Sequence, residues 1–240
     1  MNPTQTCISP RLARGFFCIT LSCITLSSTT LSASAGTVHT REATALDFDR
    51  TFNARGEPRQ THYLATYQLN GKPHQLEVWR DRDLRLKRRT DDDIETYLSK
   101  PARETEWQMV MMDLKRRIRT DIDRTNLARI GHFTDWYAQS HSLAHPAGSY
   151  QLHKLRSDEV LTGAPQAVAA CQWYRLNLDN FVSTICWSAS ARLPLLIVDG
   201  TGQTQWRISA FDHAPIDAAV FQIDDRGFAK NDANQDIQAD

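Results

Sequence analysis

Asn70-Gly71 sits between two runs of alternating apolar and polar residues, and this is the strongest constraint in the chain. Both residues of a type I′ turn need positive φ, and Asn-Gly supplies them at least cost. The turn fixes the register on either side. Tyr67 opposes His74, Ala65 opposes Leu76, and Tyr63 opposes Val78. One face then carries Tyr63, Ala65, Tyr67, Leu76 and Val78, and the other carries Thr66, Gln68, Gln75 and Glu77. Such alternation predicts an antiparallel sheet with one covered face.

The same reading extends along the chain. A short strand is expected near residues 45–52. Leu84 and Leu86 alternate with Arg85 and Lys87, Asp91-Asp92-Asp93 turns, and Ile94, Thr96 and Leu98 resume the alternation. A further strand runs over 107–114. Asp123 or Thr125 caps a principal helix to about residue 143, with Leu127, Ile130, Phe133 or Thr134, and Tyr137 at three- and four-residue spacing. Gly131 weakens its middle. Tyr150 to Leu155 starts another strand. Leu193 to Val198, the turn Asp199-Gly200-Thr201-Gly202 and a return over 205–211 form a hairpin that sets Leu195 against Trp206. Residues 214–221 close the domain as an extended or helical segment.

The start of the chain reads as an address. Arg11 and Arg14 precede an uncharged stretch from Phe16 to Leu31, and Ala33-Ser34-Ala35 offers a small-x-small cleavage site. That is the pattern of a secretory signal peptide cleaved after Ala35. The apolar stretch is rich in Ser and Thr and shorter than the ~20 residues of a membrane span. A retained anchor is the alternative, and a lipidated Cys23 is the weaker one. Removal takes away two arginines and no acid. The 28 basic and 28 acidic residues of the chain therefore become a slight negative balance, which argues against nucleic acid as a partner.

Of five cysteines, only Cys171 and Cys186 follow the cleavage site. In an exported chain two cysteines point to a disulfide. Residues 170–176 and 181–187 are strand-like, with Asn177 to Asn180 of turn composition between them. A symmetric hairpin centred between Leu178 and Asp179 places the two cysteines directly opposite, and no C-x-x-C motif marks them as redox-active. Two reduced core thiols are the alternative.

These elements predict an α+β domain over residues 36–223. It has a curved antiparallel sheet of roughly nine strands, a half-open β-barrel, with one main helix covering the concave face. Residues 224–240 are acidic and expected as a disordered tail. Tyr63, Tyr67, Trp107, Met109, Met111, Trp136 and Trp173 are the candidate lining of an apolar gap between sheet and helix, and a dry, filled core is the alternative. Lys87-Arg88-Arg89 and Lys115-Arg116-Arg117 could touch an anion, although a charged, solvated sheet edge is the expected reading.

Residues 171–221 resemble the periplasmic lipoprotein-carrier superfamily (LolA, LolB and RseB-like domains). The resembling residues are Ile185-Cys186-Trp187, Leu193-Pro194-Leu195, and Ala214-Pro215-Ile216-Asp217 with Val220-Phe221. The resemblance implies a half-barrel that binds acyl chains or lipidated partners. An amphipathic first helix is not evident in 37–60, and no cavity arginine can be assigned.

No motif points to catalysis, a cofactor or a metal. His141 and His145 stand four apart, with His132 and Asp135 nearby, but no glutamate lies between them. They are expected as surface histidines. The chain therefore reads as a periplasmic or secreted, monomeric, non-enzymatic protein. Its expected role is to hold an acyl chain, lipid or lipidated polypeptide. The alternative is an envelope interaction or stress-sensing module with a protein partner.

Overall fold

A computed structural model describes residues 45–82, 84–100, 107–123, 135–156, 159, 166–179 and 181–233. The proposed signal peptide, most of the expected principal helix (with His132) and the last seven residues lie outside them. All the described elements fall in one unit, Glu42–Asp240.

The Asn70-Gly71 turn forms as expected. Asn70 has φ +52° and Gly71 φ +72°. It joins β1 (Gln60–Leu69) to β2 (Lys72–Asp81), pairing Tyr67 with His74, Ala65 with Leu76 and Tyr63 with Val78. Gly71→Ala places a Cβ in the left-handed region and is expected to cost about 1 kcal/mol, read from urea denaturation midpoints. Because nothing lies within 4 Å of that Cβ, the loss reports backbone strain alone.

Antiparallel neighbours then follow in sequence. They are β3 (Arg85–Thr90), β4 (Ile94–Ser99), β5 (Gln108–Asp113) and β6 (Ile118–Asp123). The second half comprises β7 (Tyr150–Lys154), β8 (Gln172–Leu178), β9 (Phe181–Ser188), β10 (Leu193–Asp199) and β11 (Thr204–Asp212). β11 pairs with β1 and joins the halves. A last strand, β12 (Ala229–Asp232), adds parallel to β6. The result is one 12-stranded mixed sheet in the order β12-β6-β5-β4-β3-β2-β1-β11-β10-β9-β8-β7.

This corrects the expected architecture. The sheet is not a nine-stranded half-barrel, and no main helix covers it among the described residues. The helices there are α1 (Phe48–Thr51) and α2 (Trp136–His141), both short. α1 replaces the strand expected over 45–52, because the Asp47 carboxylate accepts from Arg50 N and caps a helical turn. α2 begins at Asp135, whose carboxylate accepts from Tyr137 N and Ala138 N, and ends at Ser142 in the left-handed region. Residues 229–232, placed by composition in the acidic tail, are instead β12. Before them the chain turns at Asp217 into a 3-10 turn (Ala218–Phe221), where Arg85 lies 4.5 Å over the Phe221 ring. Asp225 then pairs with Arg119 at 2.7 Å. Arg117 donates to the carbonyls of Arg226 and Gly227. Asp225, one of the acidic residues that signalled disorder, is a partner for β6.

Two register expectations also shift. Cys171 and Cys186 are bonded, with Cα atoms 5.4 Å apart. However, the β8–β9 turn closes between Leu178 and Phe181, so Cys186 opposes Trp173. The bridge is diagonal. It survives because Cys171 and Trp173 share parity and so share a face. In β10–β11, Ile197 rather than Leu195 opposes Trp206, and a bulge follows.

The main core lies on the face of Tyr63, Ala65, Leu76 and Val78. It gathers Leu86, Leu98, Trp107, Met109, Trp206 and Ile208. A second cluster packs Phe48 and Phe52 of the α1 segment against Leu152, Leu176, Ile185 and Trp187.

Candidate functional site

Cross-strand pairing sorts the core face into rows. Leu86, Leu98, Met109 and Ile122 oppose one another across β3 to β6. The first three of these are buried. One step toward the Asn70-Gly71 end, Arg88, Thr96, Met111 and Thr120 form the next row, and all four are half-buried. Tyr67 on β1 is also half-buried and stacks on His74 with centroids 5.3 Å apart. The floor thus passes from a closed apolar row to a partly open, largely polar one whose apolar member is Met111.

The candidate lining residues divide along that boundary. Tyr63, Trp107 and Met109 are buried within the core, while Tyr67, Trp136 and Trp173 pack against it from partly exposed positions. Met111 belongs to the open row. Trp136 meets Trp107 edge-on at 6.1 Å, and its buried indole N–H has no hydrogen-bond partner.

Beside this floor lies a polar cluster that sequence reasoning missed. Glu57, Arg80 and His141 have side chains no more than 2% exposed. One Glu57 oxygen, Oε2, serves both bases, at 2.8 Å from His141 Nε2 and 3.4 Å from Arg80 Nη2. Arg80 also donates to Ser140 O, Thr61 Oγ1 and Ala191 O. His141 Nδ1 lies 2.7 Å from Ser140 Oγ, and the Tyr137 ring stacks on the imidazole at 4.1 Å. Burial holds the His141 pKa below its ordinary value, against the opposing hydrogen bond to Glu57. Burial likewise pushes the Tyr137 phenol up. His141 is therefore not the surface histidine expected of it. His145 is half-exposed, 3.7 Å from Asp49.

Ser140, His141 and Glu57 make a hydroxyl–imidazole–carboxylate chain, yet it is not arranged for nucleophilic catalysis. Ser140 and His141 are no more than 1% exposed, so no substrate carbonyl can approach. Arg80 also holds the carboxylate. No group of three or more metal-ligating side chains occurs among the described residues.

The basic strands are largely neutralised. On the opposite face Glu95 accepts from Arg89 at 2.8 Å and pairs with Lys87 at 2.9 Å. Tyr97 donates to its other oxygen at 2.6 Å. Burial alone would raise the Glu95 pKa, but these donors hold it below the usual carboxylate range. Arg88 points to the core face and donates to Gln139. Arg116 stays exposed, 3.5 Å from Asp113.

No helix among the described residues is long and apolar enough to cross a membrane. No family model and no curated protein matches the chain. Among solved structures it is similar to MucB, with 12% sequence identity and a TM-score of 0.40 over 73% of this chain. The match covers 61% of the MucB chain, so this chain spans less than two thirds of that protein's length. A likeness this distant carries no argument about ligand or partner, and any function must rest on the residues themselves.

Proposed function

We propose that this chain is an exported, non-catalytic binding module of the cell envelope. It holds an acyl chain, a lipid or a lipidated polypeptide against the open row of the core face, at Met111. The observation carrying this reading is the passage from the closed row Leu86–Leu98–Met109 to the half-buried row Arg88–Thr96–Met111–Thr120. A chain laid on that row gains about 0.8 kcal/mol per methylene removed from water. Arg88 supplies a cation at one end of the row for a headgroup or carboxylate. The Cys171–Cys186 disulfide supports export, since such bonds persist in oxidising compartments.

Purification from an envelope fraction, followed by native mass spectrometry and lipid extraction, tests the proposal. A co-purifying amphiphile is expected. Met111→Lys is expected to weaken a fluorescent fatty-acid probe at least tenfold, about 1.4 kcal/mol. A protein free of lipid that also fails to bind the probe overturns it.

A second reading, an envelope interaction surface, is favoured by Phe181 and Val182. These are exposed by 50% and 37% where β9 begins. Loss of a pulled-down envelope protein on Phe181→Ser, with probe binding intact, would favour that reading.

A further inference from the structure

α2 packs Trp136 and Tyr137 against the two apolar clusters, and polar contacts tie its remaining residues to the sheet. Its fully buried residues are Gln139, Ser140 and His141, none of them apolar. Ser140 O receives Arg80 Nη1 at 3.2 Å, and Gln139 Oε1 receives Arg88 Nη1 at 2.8 Å. Ser142 Oγ lies 3.1 Å from Tyr63 OH. The fourth contact, His141 to Glu57, ties the helix to the loop before β1. Three of these four contacts reach residues of the core face, so the segment sits over part of the floor described above.

We propose that α2 is an acid-released latch, in which protonation of His141 frees the helix from the sheet and uncovers the apolar face beneath it. The consequence for ligand capture rests on the binding role proposed above, whereas the release itself does not.

The charges around the imidazole give the reason. Glu57 faces it from the loop after α1, and Arg80 from β2. Tyr137 stacks on it from within α2, and Asp135 and Arg192 act on that phenol from the start of α2 and from the β9–β10 turn. With His141 neutral, one carboxylate balances one guanidinium. The neutral ring donates from Nε2 to Glu57 and accepts the Ser140 hydroxyl at Nδ1. A proton on Nδ1 adds a second cation beside Arg80 in a site closed to water, with one carboxylate for both. The Tyr137 carbonyl, 3.3 Å from both Nδ1 and the Ser140 hydroxyl, can accept from either, so the destabilisation is the unbalanced charge and not a lost hydrogen bond. The unpartnered Arg80 Nε and Tyr137 hydroxyl add no anionic relief.

The sign follows from linkage. Latched, His141 titrates below 6.5, and released into water it regains that value. Above pH 6.5 both forms are neutral and pH has no effect. Below it the released form takes up a proton that the latched form does not. Opening then grows by up to about tenfold per pH unit until the latched pKa is reached.

Hydrogen exchange of the exported chain between pH 7.5 and 5 tests this, with rates corrected for intrinsic chemistry. Amides of 135–143 are expected to lose protection by up to about tenfold per unit below pH 6.5, while β1 and β2 do not. His141→Gln keeps a donor to Glu57 without titrating and should abolish the slope; His145→Gln should leave it intact. An unchanged slope in His141→Gln, or none in the natural chain, overturns the latch. If His141→Gln fails to fold, ring NMR of the natural chain decides. Protonation of the His141 ring with no change in α2 amides would sink the proposal, and loss of α2 signals in step with that ring would support it. The fatty-acid probe is read separately. A protein that binds no probe but still opens in acid loses the binding role and keeps the latch.

Discussion

Arg80→Met is expected to lower the unfolding free energy by about 3–5 kcal/mol at pH 7.5, the usual cost of stranding one member of a buried ion pair. Arg80 is 1% exposed, and its guanidinium is the only cation besides a neutral imidazole within hydrogen-bond or ion-pair range of Glu57 among the described contacts. Removing it leaves a carboxylate in a site that water does not reach. It also strips donors from Ser140 O, Thr61 Oγ1 and Ala191 O. Methionine fills much of the volume, so the loss reports charge and hydrogen bonding more than a cavity. Urea denaturation of Arg80→Met, Glu57→Gln and the double variant closes a cycle. The double variant should recover a large part of the loss, because a neutral amide tolerates the site better than an unpaired anion. Arg85→Met is the control. Arg85 also pairs with an aspartate, but its side chain is 40% exposed, and about 1 kcal/mol or less is expected. A loss below about 1 kcal/mol for Arg80→Met would mean that Glu57 is protonated or hydrated, and would remove the electrostatic basis of the latch.

That arginine was within reach of the sequence. The Asn70-Gly71 turn sets Tyr63 against Val78, and the same parity carried one step further sets Thr61 against Arg80 on the core face. Apolar alternation ends at Val78 and a run of charges follows, so nothing but strand parity marks Arg80; in the molecule parity holds and the charge meets Glu57. Glu57 and His141 carry no comparable signal. They lie 84 positions apart in the chain, and nothing local in either neighbourhood marks it as the other's contact. Tyr67 was identifiable as an apolar position on an alternating strand and Met111 as one in a nearly continuous apolar run, but their half-exposure depends on which row of the sheet they occupy.

Local turn chemistry proved the more transferable guide to the fold. Asn70-Gly71, Asp91 and Asp92 all adopt positive φ where turns were expected. The number of strands was not legible because β6 was not read as a strand and β12 carries no apolar alternation. Its placement depends on Arg117 and Arg119 of β6 meeting carbonyls and Asp225 more than a hundred residues later. Of the periodic stripe read as the principal helix, only residues 135–143 lie within the described chain. Within that part Trp136 and Tyr137 do pack against the apolar clusters, whereas Gln139, Ser140 and His141 are buried with no apolar signal to mark them.

Reducing the Cys171–Cys186 bond is expected to cost about 3 kcal/mol, the chain-entropy value for a loop of about 15 residues. The two cysteines are separated by 15 positions, and the bridge closes the β8–β9 hairpin. Its effect falls mainly on the unfolded chain. In the folded state the hairpin is already held between β7 and β10, and Cys186 is buried in the core with Cys171 and Trp173 packed against it. Reduction without substitution keeps that packing, which Cys186→Ala would not. Denaturation midpoints with and without reductant therefore isolate the cross-link, and the folded far-ultraviolet spectrum should be unchanged between them. The size of the effect matters for location. A loss of about 3 kcal/mol is a large part of the 5–15 kcal/mol that holds a typical domain together. A leaderless version made in a reducing compartment should accumulate less and be degraded faster than the exported one, while thiol alkylation of the exported chain should find neither cysteine free. Equal midpoints in both redox states, or a free thiol at Cys171 in the exported protein, would make the bond incidental. The case for an oxidising compartment would then rest on the expected signal peptide alone.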